Sequence, residues 1–123
     1  VTPAVNQIEL HPRFQQRDKR AFHKKHKIAI ESWSPLGSGS LIDNPAIGAI
    51  AKKHGRSPAQ VMIRWHLDEG LIVIPKSVTP ARIRENIAVF DFALDDADRR
   101  ALAALDDPGG RVGPDPATAA FLF

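Results

Sequence analysis

The chain has 123 residues, 43% hydrophobic and 25% charged, which bounds it to one soluble domain or a piece of one. It has no cysteine, which excludes disulfides and thiolate chemistry and fits a reducing cytoplasm. No apolar run approaches the ~20 residues a membrane span needs. The net charge is +3, but the basic residues Lys19, Arg20, Lys24, Lys25 and Lys27 crowd one segment with His23 and His26. They read as a solvated helix face without a run of stacking aromatics, so neither a nucleic-acid nor a membrane partner is expected.

The sequence opens on Val1-Thr2-Pro3, and its only methionine is Met62, so it is expected to be part of a longer chain. The first strand is predicted over Val5 to Leu10, alternating at period two and placing Val5, Gln7 and Glu9 on one face. After the basic helical segment comes a second strand, Ile28 to Trp33, running into the small-residue loop Ser34-Pro35-Leu36-Gly37-Ser38-Gly39-Ser40. Asn44-Pro45 opens a helix that closes with Lys52, Lys53 and His54 before Gly55, so that bases sit at the negative end of the dipole and glycine caps it. Ser57-Pro58-Ala59-Gln60 is a capping box for the next helix, with an apolar stripe expected through Val61, Ile63, Trp65 and Leu67. A third strand, Leu71 to Ile74, is continuously apolar, as for a strand covered on both faces. Thr79-Pro80 opens a helix, Asp95 opens a last one with Leu102 and Leu105 on its apolar side, and a Pro- and Gly-rich tail ends in Phe121-Leu122-Phe123. No Asn-Gly or Asp-Gly turn joins two strands, so the pattern is parallel βα units rather than hairpins.

In such folds the functional groups gather at the C-terminal ends of the strands. Gln7 offers a carboxamide that either bonds a neighbouring strand or meets a ligand amide, and taken alone the first accounts for it better. Trp33 offers a flat ring before a loop that lets a ligand approach the backbone, with a core tryptophan equally compatible. The third place is sharper. Lys76, Ser77, Val78 and Arg82 surround the opening of a helix that also bears Glu85 and Asn86, which suits a phosphate better than scattered surface charge would. The five histidines show no metal-ligand spacing, and no metal is expected. No G-x-G-x-x-G follows a strand, which argues against a doubly wound nucleotide domain.

Pro3 to Pro12 (PAVNQIELHP), Glu31 to Gly37 (ESWSPLG), Ile74 to Pro80 (IPKSVTP) and Arg82 to Asn86 (RIREN) with Val89 to Phe92 resemble the aldo-keto reductases, in order, from Val1 to about Pro114. Trp33 and the ending Gly110-Arg111-Val112 lean toward the 2,5-diketo-D-gluconate reductase-like branch. The resemblance implies an α/β fold: strands six to eight of a (β/α)8 TIM barrel over residues 1–109, and a C-terminal tail over 110–123. It implies NADPH as cofactor. Gln7 would hold the nicotinamide carboxamide, Trp33 would stack on the nicotinamide, and Ser34, Leu36 and Ser38 would lie along the pyrophosphate. Lys76, Ser77, Val78 and Arg82 would surround the 2′-phosphate, with Glu85 and Asn86 at the adenine.

The family's reaction passes a hydride to a carbonyl carbon while a tyrosine protonates the oxygen, and this chain contains no tyrosine. His11 and His66 read as structural, so no catalytic residue is assigned. Two functions follow: the cofactor-binding segment of an NADPH-dependent aldehyde or ketone reductase, inactive alone, or a stand-alone nucleotide-binding or oligomer-forming module. The carbonyl substrate is not legible.

Overall fold

In the computed structural model, residues 1–120 are described; the Phe121-Leu122-Phe123 ending lies outside them. Strands β1 (Val5–Glu9), β2 (Ala29–Trp33) and β3 (Ile72–Val73) form one parallel sheet in the order β1-β2-β3. Register runs from Val5 opposite Ala29 to Glu9 opposite Trp33, then Glu31 opposite Ile72 and Ser32 opposite Val73. Parallel strands need long crossovers. These are helix α1 (Arg17–Lys25) between β1 and β2, and α2 (Pro45–His54) with α3 (Pro58–Asp68) between β2 and β3. Two further helices follow, α4 (Pro80–Ile87) and α5 (Asp96–Ala103).

The helix ends follow the local signals. Asn44 accepts from the N–H groups of Ala46 and Ile47 at 3.0 and 3.2 Å, and Gly55 closes α2 at φ 62°, where a side chain would be strained. Ser57 and Gln60 form both halves of the capping box of α3. Asp95 and Asp98 form another at α5, and Asp98 also takes Lys53 at 2.9 Å and His54 at 2.6 Å, tying α5 to the end of α2. Burial opposes the Asp98 carboxylate, yet these two partners hold its pKa below the ordinary value.

The core lies on one side of the sheet. Leu10, Ile30, Leu41, Ile47, Ile50, Val61, Met62, Trp65 and Leu102 pack together beneath α2, α3 and α5. The buried face of α3 includes Val61, Met62, Ile63, Trp65 and His66, so three of the four expected positions are buried and only Leu67 is half-buried. The period of 3.6 selects positions four apart, whereas the expected stripe stepped by two. Leu105 lies past the end of α5 but still leans on the core.

The other sheet face is open. Val5, Gln7, Ala29, Glu31, Ile72 and Ile74 share it by register, and Val5, Ile72 and Ile74 remain 44%, 42% and 46% exposed. This corrects the expectation that Leu71 to Ile74 is covered on both faces. Among the described residues no element lies across this side, so alternate residues of a continuously apolar strand meet solvent. No described helix is long and apolar enough to cross a membrane.

His66 is fully buried in α3, its Nδ1 2.7 Å from the carbonyl of Met62 and its Nε2 3.2 Å from that of Leu10. Burial outweighs both carbonyls and lowers its pKa to about 4. The folded state therefore holds a neutral ring, and its stabilisation is complete above the unfolded pKa of 6.5 and lost as pH falls from there toward about 4. Urea midpoints measured across this window should decline in the wild type and decline less in His66→Gln; identical slopes would remove His66 as the source. Leu102, with no exposed surface, should cost about 3 kcal/mol when replaced by Ala, read as a lower urea midpoint at unchanged m-value.

Candidate functional site

The C-terminal ends of β1, β2 and β3 share one edge of the sheet, because the strands are parallel and paired in register. That edge brings together the three sequence segments singled out as chemistry-bearing.

On β1, Gln7 is exposed on the open face, and its Nε2 donates to Glu31 Oε1 of β2 at 2.8 Å. Its contact in this chain is thus a cross-strand pair. Trp33 lies on the same face two residues further along β2, opposite Glu9. Its indole is half-buried, and Gly113 of the tail is set against its six-membered rim. A Cβ built on Gly113 would come within 2.1 Å of the Trp33 Cη2 atom.

The loop after Trp33 is wound tightly. Ser34 and Ser38 both adopt left-handed backbone, at φ 49° and 51°. Their hydroxyls lie 3.0 Å apart, and the Ser34 carbonyl accepts from Gly37 N at 2.8 Å. Leu36 turns its side chain onto the core, so it anchors the loop by packing and presents backbone rather than side chain outward.

After β3 the chain runs out to Lys76, Ser77 and Val78. Lys76, Val78 and Arg82 are exposed, and Ser77 Oγ accepts from Thr79 N at 3.2 Å. Thr79 is the N-cap of α4 but contributes no side-chain bond, and Pro80 occupies the first turn. The opening N–H groups of α4 therefore lack a capping side chain on a helix whose dipole favours an anion there. Among the described residues no carboxylate pairs with Lys76 or Arg82, and the same holds for Lys19, Lys24, Lys25, Lys27, Lys52, Arg84, Arg100 and Arg111, so it is their place beside the opening of α4 that sets Lys76 and Arg82 apart.

Glu85 is engaged differently. It takes the hydroxyl of Ser57, while Gln60 Nε2 donates to the carbonyls of Glu85 and Ala88 at 3.1 and 2.9 Å. Glu85 thus fastens α4 to the start of α3. Asn86 beside it is half-buried.

Sequence reasoning missed Glu9. Its side chain is buried and accepts from Val112 N at 2.6 Å, Gly113 N at 2.9 Å and His11 Nε2 at 3.0 Å. His11 is equally buried, with its Nδ1 unpartnered. Burial lowers the His11 pKa against the opposing pull of Glu9. Glu9 and its tail partners lie over a hundred residues apart, and no local spacing announces such a contact. The one available signal was an acid in a buried strand, which must find donors somewhere. Among the described residues, no three His, Cys, Asp or Glu side chains gather as a metal site.

Residues 1–107 match the sequence profile of the aldo/keto reductase family. Over 118 residues the chain is 57% identical to the methylglyoxal reductase DkgA of Salmonella typhimurium, covering 94% of this chain and 42% of that protein. The crystal structure of a point mutant of Gox0644 in complex with NADPH superposes with a TM-score of 0.96 at 60% identity, over 98% of this chain and 45% of that one. The crystal structure of a putative 2,5-diketo-D-gluconic acid reductase B gives a TM-score of 0.88 at 32% identity, over 95% of this chain and 42% of that one. The chain spans less than half the length of these relatives.

Proposed function

The chain belongs to the aldo/keto reductase family, and from that premise we propose that it forms the cofactor-holding side of an NADPH-dependent reductase of aldehydes or ketones. Its three strands take the places of strands six to eight in an eight-stranded βα-barrel. The observation that carries this reading is the placement of two exposed cations, Lys76 and Arg82, on either side of the opening of α4, whose N-cap Thr79 makes no side-chain bond. A phosphate monoester fits there: it satisfies free backbone donors, completes both cations, and meets the Ser77 hydroxyl and the Val78 backbone. That chemistry favours NADPH over NADH, and the Gox0644 mutant, at 60% identity, is crystallised with NADPH.

The remaining assignments follow along the same sheet edge. Trp33 supplies a flat ring for the nicotinamide to lie against. Gln7 turns from Glu31 to the carboxamide, exchanging one hydrogen bond for another. Ser34, the backbone of Leu36, and Ser38 line the path of the pyrophosphate, and Asn86 with Glu85 borders the adenine. Glu85 reaches it only by sharing or releasing Ser57.

When bound, the reduced nicotinamide supplies the hydride for carbonyl reduction. This chain's residues orient it, but none of them donates the proton that the carbonyl oxygen needs, since tyrosine is absent. We therefore assign the acid to residues beyond this chain and expect the chain alone to be inactive. The methylglyoxal reductase among the relatives points to small dicarbonyls as the substrate class of the whole enzyme. A second reading, a self-standing nucleotide-binding module, is favoured by one observation: Leu10, Ile47, Met62 and Leu102 are completely buried without any further strand.

Fluorescence titration of the folded chain with NADPH and with NADH tests the assignment. Lys76→Ala or Arg82→Ala should each weaken NADPH binding about tenfold or more and leave NADH little changed, as expected for loss of a charge-assisted bond. Equal losses for both nucleotides would remove the 2′-phosphate from this site.

A further inference from the structure

Glu9 is a carboxylate with essentially no exposed surface, and its partners are unusual. Two are consecutive backbone N–H groups of the tail, Val112 at 2.6 Å on Oε1 and Gly113 at 2.9 Å on Oε2. The third is His11 Nε2 at 3.0 Å. Bonds from N–H groups to a buried carboxylate are charge-assisted and strong, and losing them would strand the charge. The tail is held at further points by the same region. Arg111 lies over the Phe14 ring at 4.7 Å, and Gly110 sits so close to the Arg13 carbonyl that a Cβ would fall 2.2 Å from its oxygen. The tail is therefore seated by the turn that follows β1, not merely draped across it.

What the seat accomplishes is visible at Gly113. A Cβ there would stand 2.1 Å from Trp33 Cη2, 2.9 Å from Cζ3 and 3.0 Å from Glu9 Oε2. The residue is wedged between the carboxylate that holds it and the rim of the ring that is placed to receive the nicotinamide. Glu9 lies opposite Trp33 in the β1–β2 register, so acid, wedge and ring belong to one rigid neighbourhood. A half-buried tryptophan at a strand end has several rotamers available, and the wedge blocks the one that swings its rim toward the tail.

We propose that Glu9, seated by His11, is a positioning residue for the cofactor ring: it clamps Val112 and Gly113 so that Gly113 fixes the orientation of the Trp33 indole. The ligand in this statement rests on the function proposed above; the clamp itself does not. Glu9 acts through the tail and touches no reacting atom.

The test uses the chain labelled with fluorotryptophan, in which the fluorine resonance of Trp33 is read beside that of the buried Trp65. In Glu9→Gln, one oxygen becomes a donor facing tail donors, so the Val112 and Gly113 amides should exchange with solvent faster. The Trp33 resonance should shift and broaden, while that of Trp65 and the far-UV spectrum stay as they are. Gly113→Ala leaves the carboxylate intact and should shift Trp33 through steric displacement alone, which keeps the test independent of any instability in Glu9→Gln. NADPH affinity should fall threefold to tenfold, roughly the value of an aromatic stack, while 2′,5′-ADP, which lacks the nicotinamide, binds unchanged. Released tail amides with an unmoved Trp33 resonance in Glu9→Gln, or an unmoved resonance in Gly113→Ala, would overturn the clamp. Equal loss for NADPH and 2′,5′-ADP would overturn its link to the ring. The expected fluorine changes in both variants, with a wild-type chain that binds neither nucleotide, would count against the cofactor reading and leave the clamp standing.

Discussion

The end of the chain returns to its beginning through one short turn, and the arrangement of the molecule depends on that return. Gln15 spans the gap with its side-chain amide, donating at 2.8 Å to both Pro12 O and Leu102 O, while its own N–H reaches Asp106 at 2.9 Å. Asp107 N answers by donating to Arg13 O at 2.9 Å. Leu10, immediately before the turn, enters the core and lends its carbonyl to His66 of α3. Buried amides and carboxylates are costly when unpaired, so such a turn either forms completely or not at all. Here it fixes α5 beneath the sheet and delivers the tail to Trp33.

A second constraint is geometric. A parallel sheet is covered by its crossover helices, and in a closed barrel those helices all lie outside. Here the crossover helices cover one face of the three-stranded sheet and leave the other open, which is why Ile30 is buried and Val5, Ile72 and Ile74 are not. The candidate site occupies the strand edge adjoining that open face, and the core on the covered side sets the positions of its residues.

Around the helices, several basic groups meet acidic ones: Arg17 with Asp106, Arg20 with Glu69, Lys53 with Asp95 and Asp98, Arg56 with Asp91, and Arg64 with Asp68. Most are partly exposed, and such pairs orient side chains more than they stabilise the fold. Lys76 and Arg82 instead flank a helix opening that lacks its capping side chain.

What neighbouring residues decide among themselves is legible in the order of the amino acids. Caps at Asn44, Ser57 and Asp95, the glycine stop at Gly55, and the succession of strands and helices are local, because each is satisfied within three or four residues. The linked motifs around Gln7, Trp33 and Lys76 likewise pointed to the family, and they meet at one edge of the sheet. Packing in three dimensions settled which partners distant groups would take. Gln7 is bonded to Glu31, Glu85 to Ser57, Leu36 faces the core, and Glu9 holds a tail over a hundred positions away. The physical reason is that a buried donor or acceptor must be satisfied, but by whom depends on which segments packing brings within about 3 Å.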